Sequence, residues 1–161
     1  KEHIGDMSAA YAHAAYVTEL EVDTLTGGVK LHKITAVQDV GRIVNELGIE
    51  GQMEGGIAQG IGYGLSENLI IEEGVVKNPN FRDYKVVTAP EMPEIECHFI
   101  EDYEEKGPLG AKGIAEQPCI VPAPSIANAV YNAIGIRFND PPITPEKIVR
   151  ALHAPQSEVS E

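Results

Sequence analysis

A carboxylate directly following a glycine-rich loop is the residue in this sequence best suited to chemistry. Glu116 lies in Gly113-Ile114-Ala115-Glu116-Gln117-Pro118, among small and apolar neighbours. Such a setting partly desolvates a carboxylate, which suits it to accept a proton as a general base. Taken alone, the same residue reads better as a loop or helix-start glutamate. Just upstream, Gly107-Pro108-Leu109-Gly110-Ala111-Lys112-Gly113 sets backbone N–H groups beside a lysine, which could hold an anion or an oxo group. It is not a phosphate loop, because Lys-Gly stands where Gly-Lys-Ser/Thr is required. A second cluster, Gly60-Ile61-Gly62-Tyr63-Gly64, is followed by Leu65 and lacks the dinucleotide fingerprint.

These residues need a frame. Met53, Ile57, Ile61 and Leu65 recur every four positions, which predicts a helix over 51–69. Gly55, Gly56, Gly60, Gly62 and Gly64 fall inside it, each costing about 1 kcal/mol relative to alanine. Close packing against another backbone, or close approach of a ligand, has to compensate. Alternation in Tyr16 to Asp23 and in Val29 to Val37, around Thr24-Leu25-Thr26-Gly27-Gly28, predicts a hairpin with one face packed on something. A second hairpin is expected around Glu73-Gly74, and a further strand over 95–100 behind Pro90 and Pro93, which confine that region to loop or sheet edge. Ser125 suits the N-cap of a helix whose inner face is Ile126, Ala129, Val130, Ala133 and Ile134. Thr144-Pro145 starts a last helix carrying Ile148, Val149 and Leu152 inward. The fold class is α+β, with sheet hairpins packed against helices, as one domain over 1–154 and a disordered tail over 155–161.

Composition excludes several roles. A net charge of -13 over 161 residues repels nucleic-acid phosphates and anionic membrane surfaces, so neither partner is expected. No apolar run approaches the roughly 20 residues that span a bilayer. Cys97 and Cys119 lack C-x-x-C spacing and the five histidines lack H-x-x-x-H spacing, so no protein-ligated metal is expected and reduced thiols point to the cytoplasm. The start Lys1-Glu2-His3-Ile4 has neither a signal peptide nor an initiator methionine, which reads as an excised or separately processed piece.

Three segments in order carry a resemblance. Asp39-Val40-Gly41-Arg42-Ile43-Val44-Asn45 is similar to D-V-G-R-x-x-N. Gly51-Gln52-Met53-Glu54-Gly55-Gly56, continued by Gln59-Gly60-Ile61-Gly62, is similar to G-Q-x-E-G-x-x-x-Q-G-x-G. Gly110-Ala111-Lys112-Gly113-Ile114-Ala115-Glu116 resembles G-A-K-G-x-G-E. All three belong to the molybdenum hydroxylases that include xanthine dehydrogenase and aldehyde oxidoreductase, and the resemblance runs from about Tyr16 to Leu152. Ala115 stands where glycine is frequent, and Asn45-Glu46 replaces a common Asn-Pro.

The resemblance implies the C-terminal part of a molybdopterin-binding domain. Glu116 would be the base that deprotonates the attacking oxygen during hydroxylation of an N-heteroaromatic or aldehyde carbon. Gln52 would contact the pterin dithiolene, with Gly55, Gly56 and Gly113 lining a close approach to the molybdopterin cofactor, in its plain or cytosine dinucleotide form. Implied partners are a small-molecule substrate, the remainder of the molybdenum subunit, an FAD subunit and an iron-sulfur subunit. The piece alone should bind little cofactor and show no turnover. The competing expectation is a non-catalytic assembly module whose glycines serve helix packing.

Overall fold

The computed structural model describes residues 10–154. The expected tail at 155–161 lies outside them. Strand β1 (Ala14–Val22) turns through Asp23 into β2 (Val29–Asp39), antiparallel, with a register shift between Glu19 and Leu20. The Asp23 carboxylate holds the turn, accepting from the Leu25 N–H at 2.8 Å and the Thr26 hydroxyl at 2.8 Å. Helix α1 (Glu46–Leu65) follows β2, and a small hairpin, β3 (Ile71–Glu72) with β4 (Val75–Val76), follows the helix. Strand β5 (Glu94–Ile100) returns to the free edge of β2 and pairs with it in parallel, Lys33 opposite Glu94 through Asp39 opposite Ile100. Parallel neighbours need a long connection, and the chain through α1 supplies it. The sheet order is β1-β2-β5.

One face of this sheet meets the helices. Ile34 and Ala36 from β2, Met53 and Ile57 from α1, and Ile126 and Val130 from α3 (Pro122–Ile134) are all fully buried. The opposite face carries charge pairs such as Lys33 to Glu96 at 2.7 Å and to Glu94 at 3.2 Å. Solvated pairs of that kind add little stability. The architecture is α+β, one mixed sheet covered on one side.

Three helix boundaries differ from those read in the sequence. Helix α1 begins at Glu46 because the Asn45 side chain caps it, accepting from the Gly48 N–H at 3.0 Å. It ends at Leu65, where the N–H groups of Ser66 and Glu67 both turn back to the Gly62 carbonyl. Helix α3 begins at Pro122 and not after Ser125. Both Pro122 and Pro124 fit in its first turn, where backbone N–H groups have no helical acceptor to lose. Ser125 is therefore inside the helix, its hydroxyl 2.7 Å from the Thr18 hydroxyl on β1. Ala133 is exposed, while the rest of the expected α3 face is buried or half-buried. Helix α4 (Pro145–His153) starts as expected, with Thr144 as its cap and Ile148 buried.

Candidate functional site

The first and third motifs form one backbone structure. Gly41 bridges Ala111, the Arg42 N–H donates to the Gly110 carbonyl at 2.8 Å, and the Lys112 N–H donates to the Val40 carbonyl at 2.9 Å. Gly41 has φ +61°, and a Cβ there would lie 2.5 Å from the Gly110 carbonyl oxygen, so only glycine permits this pairing. Beneath it the Lys112 Nζ donates to Asp39 Oδ2 at 2.6 Å, with Asp102 Oδ2 at 3.2 Å. The side chains of Lys112 and Asp39 are 5% and 6% exposed. Burial pushes the Asp39 carboxyl up, but hydrogen bonds from Lys112 and from the Gly41 N–H outweigh it and hold the group below the ordinary carboxylate range. The bond to Asp39 pushes the Lys112 ammonium up.

This pairing closes the expected anion cradle at Gly110, Ala111 and Lys112. The N–H groups of Gly110 and Ala111 close a local turn onto Gly107 and Pro108, and the Lys112 N–H and ammonium are both engaged. Immediately afterwards the situation reverses. The N–H groups of Gly113, Ile114, Ala115 and Glu116 have no hydrogen-bond acceptor among the described residues.

The second and third motifs meet through side-chain absence. A Cβ on Gly56 would lie 2.6 Å from the Pro118 Cβ, and one on Gly60 would lie 2.7 Å from the Pro122 Cγ. Glycine at these positions lets α2 (Gln117–Ile120) and the start of α3 rest against α1. Close packing thus compensates for Gly56 and Gly60. It does not compensate for Gly55, which is exposed and whose Cβ would meet nothing within 4 Å. Gln52, one turn before Gly56, is also exposed. Glu116 stands two residues before Pro118, at the entry to α2, so the Gly56–Pro118 contact sets the segment carrying Glu116 beside the helix carrying Gln52.

The expected desolvation of Glu116 is absent. Pro118 is buried and Ile114 half-buried, so the apolar neighbours turn inward and leave the carboxylate exposed among the described residues. The Glu116 carbonyl is fixed, accepting from the Cys119 N–H at 3.1 Å and Sγ at 2.9 Å. Gly113 is exposed, and a Cβ there would lie 3.1 Å from the Gln117 Nε2. Sequence reasoning missed the Asp39–Lys112 pair, although both residues lie in the quoted motifs. It also missed Gln117, whose buried Oε1 has no partner among the described residues.

Residues 1–93 match the family model of the molybdopterin cofactor-binding domain. The chain belongs to that family. The xanthine dehydrogenase molybdenum-binding subunit of Escherichia coli O157:H7 is 41% identical over 137 residues, more than residues 1–93 can hold, covering 84% of this chain and 18% of that subunit. Among solved structures, quinoline 2-oxidoreductase from Pseudomonas putida 86 has a TM-score of 0.82 at 30% identity, over 88% of this chain and 18% of its own. The aldehyde oxidoreductase of Desulfovibrio desulfuricans has a TM-score of 0.82 at 35% identity, over 89% of this chain and 16% of its own. The molybdopterin cofactor-binding domain chain described here therefore spans less than a fifth of the length of these relatives.

The residues fit the cofactor that the family name implies. The backbone donors of 113–116, unpaired among the described residues, are free to meet oxygen or sulfur acceptors, and the open flank at Gly55 and Gln52 leaves room for a close neighbour. No group of three or more His, Cys, Asp and Glu among the described residues could hold a metal ion. No helix of the described residues is long and apolar enough to cross a membrane.

Proposed function

We propose that this chain contributes the proton-accepting carboxylate and part of the pterin contact of a molybdenum hydroxylase. Such an enzyme would resemble xanthine dehydrogenase and hydroxylate an N-heteroaromatic or aldehyde carbon with oxygen from water. The observation that carries the reading is the Gly56–Pro118 contact, which sets Glu116 and the unpaired amides of 113–116 beside the helix bearing Gln52.

The molybdenum cofactor, when bound, supplies the two-electron oxidation of the substrate carbon. The chain's own groups do the rest of the work assigned here. Glu116 takes the proton of the attacking oxygen at its carboxylate, which needs hydrogen-bond reach and a fixed backbone. Gln52 offers its amide to the pterin, and the backbone N–H groups of Gly113 to Glu116 donate to its oxygen or sulfur acceptors. Gly55, Gly56 and Gly113 admit the approach, Gly56 indirectly by seating α2. Electrons would leave through iron-sulfur and FAD groups on partner subunits, since the remainder of the molybdenum subunit and those carriers lie outside this chain.

The test is reconstitution with the remainder of the enzyme and Glu116→Gln. Turnover is expected to fall by about 10²- to 10⁴-fold, the usual contribution of a general base. Turnover near that of the wild type would remove the assignment. A second reading, a non-catalytic assembly module, draws on the use of Gly56 and Gly60 in helix packing. Absence of neighbouring reading frames for the missing molybdenum region, an FAD subunit and a two-cluster subunit would favour it.

A further inference from the structure

We propose that Lys112 is a positioning residue for Glu116, acting as a latch that fixes the start of the loop from which the carboxylate extends. This rests on the reading of Glu116 as the base. Three bonds made by one residue support it. The Lys112 ammonium reaches Asp39 Oδ2 at 2.6 Å, at the end of β2, and Asp102 Oδ2 at 3.2 Å, just past the end of β5. Its backbone N–H reaches the Val40 carbonyl at 2.9 Å. The latch thus ties the outgoing ends of two parallel strands and the loop to a single point.

Beyond Lys112 no backbone hydrogen bond holds residues 113–115 among the described residues, and Ile114 packs against the core. The N–H groups of Gly113, Ile114, Ala115 and Glu116 find no acceptor among the described residues, and the next polar hold is the Glu116 carbonyl, which accepts from the Cys119 N–H and Sγ where Pro118 rests against Gly56. Glu116 therefore stands between two anchors, the ion pair at Lys112 before it and the α2 seat at Cys119 and Pro118 after it, and only the anchor at Lys112 is charged. Ion pairs this shielded are directional, because each charge is costly to leave unmatched. An exposed lysine on the same loop would impose no such register.

The experiment compares the assembled enzyme carrying Lys112→Met, Asp39→Asn with Lys112→Met, and Glu116→Gln, alone and combined. The double replacement leaves no buried charge unpaired and guards against loss of folding in Lys112→Met. In both latch variants kcat is expected to fall about 100-fold with KM within about threefold, the cost of displacing a reacting group by about 1 Å. Adding Glu116→Gln to the double replacement should cost no more than Glu116→Gln alone, because the latch acts only through that carboxylate. Hydrogen exchange should quicken at the paired amides of Gly110, Ala111 and Lys112 and stay unchanged in α1 and α3. Unchanged exchange at those three amides, or fully additive losses of kcat, with Glu116→Gln inactive, overturns the latch alone. Wild-type turnover in Glu116→Gln, with faster loop exchange in the latch variants, overturns the base reading and this assignment with it.

Discussion

Asp39 and Lys112 stand 73 residues apart in the chain and 2.6 Å apart in the fold, each almost wholly shielded from solvent. Their meeting depends on two backbone events. Strand β5 must pair in parallel beside β2, bringing Asp102 and the following loop to the end where Asp39 lies. Gly41 must then take φ +61° so that Ala111 can bridge it. His13 Nδ1 approaches the same carboxylate at 3.9 Å from an exposed position.

This pair gives the chain a defined response to pH. The Asp39 pKa is lowered on folding, so its contribution is complete above roughly pH 4 and lost as pH falls through the lowered value. The Lys112 pKa is raised, so its contribution is complete below roughly pH 10.4 and lost as pH rises through the raised value. Urea midpoints should therefore fall more steeply in acid for the wild type than for Asp39→Asn with Lys112→Met. A gap between the two proteins that stays constant from about pH 7 to about pH 3 would contradict this linkage.

Adjacent glycines should respond in opposite directions. Gly55→Ala places a methyl in open space on an exposed helix face and should stabilise the chain by about 1 kcal/mol. Gly56→Ala drives a methyl to 2.6 Å from the Pro118 Cβ and should destabilise it by about 1–3 kcal/mol. Urea unfolding followed by circular dichroism reads both. Equal stabilities would mean that α2 does not rest on Gly56.

Much of this was legible in local sequence, because local rules decide it. The alternation read over Tyr16 to Asp23 marks β1, which runs Ala14–Val22, Thr144-Pro145 begins a helix, and the four-residue spacing from Met53 to Leu65 marks the inner face of α1. Where two local rules competed, the sequence misled. Ser125 is a good cap, yet Pro122 and Pro124 are equally good first-turn residues and the helix takes the earlier start. Glu116 illustrates a different limit. Its apolar neighbours are plain in the sequence, but whether they shield the carboxylate or turn away from it is fixed by tertiary contacts, and Pro118 turns inward. The Asp39–Lys112 pair lies beyond any local rule, since nothing short of the parallel β2–β5 pairing brings its members together.

Gln52 separates cofactor binding from folding. Its side chain is exposed on α1 and makes no hydrogen bond among the described residues, so Gln52→Ala should leave the unfolding midpoint unchanged or slightly raised. In the assembled enzyme the same change should weaken cofactor retention by about 3- to 10-fold, the worth of one net hydrogen bond. Molybdenum and pterin content after gel filtration measures it. Full retention would remove Gln52 from the cofactor contact.

The entry to α1 offers a test of where the helix begins. Glu46 occupies the first helical position, where its charge complements the helix dipole and where proline is also well tolerated. Proline costs nothing there in lost hydrogen bonding, because the first N–H groups of a helix have no intrahelical acceptor. It also demands extended backbone in the residue before it, and Asn45 already has φ -147° and ψ 101°. Glu46→Pro should therefore gain about 0.4–1 kcal/mol through the unfolded state and lose about 0.3–1 kcal/mol of dipole interaction, leaving stability close to that of the wild type. Asn45→Ala, by contrast, removes the acceptor of the Gly48 N–H and should cost about 1 kcal/mol. Thermal unfolding should place Glu46→Pro level with the wild type and Asn45→Ala below it. A loss from Glu46→Pro as large as that from Asn45→Ala would show that α1 does not begin at Glu46.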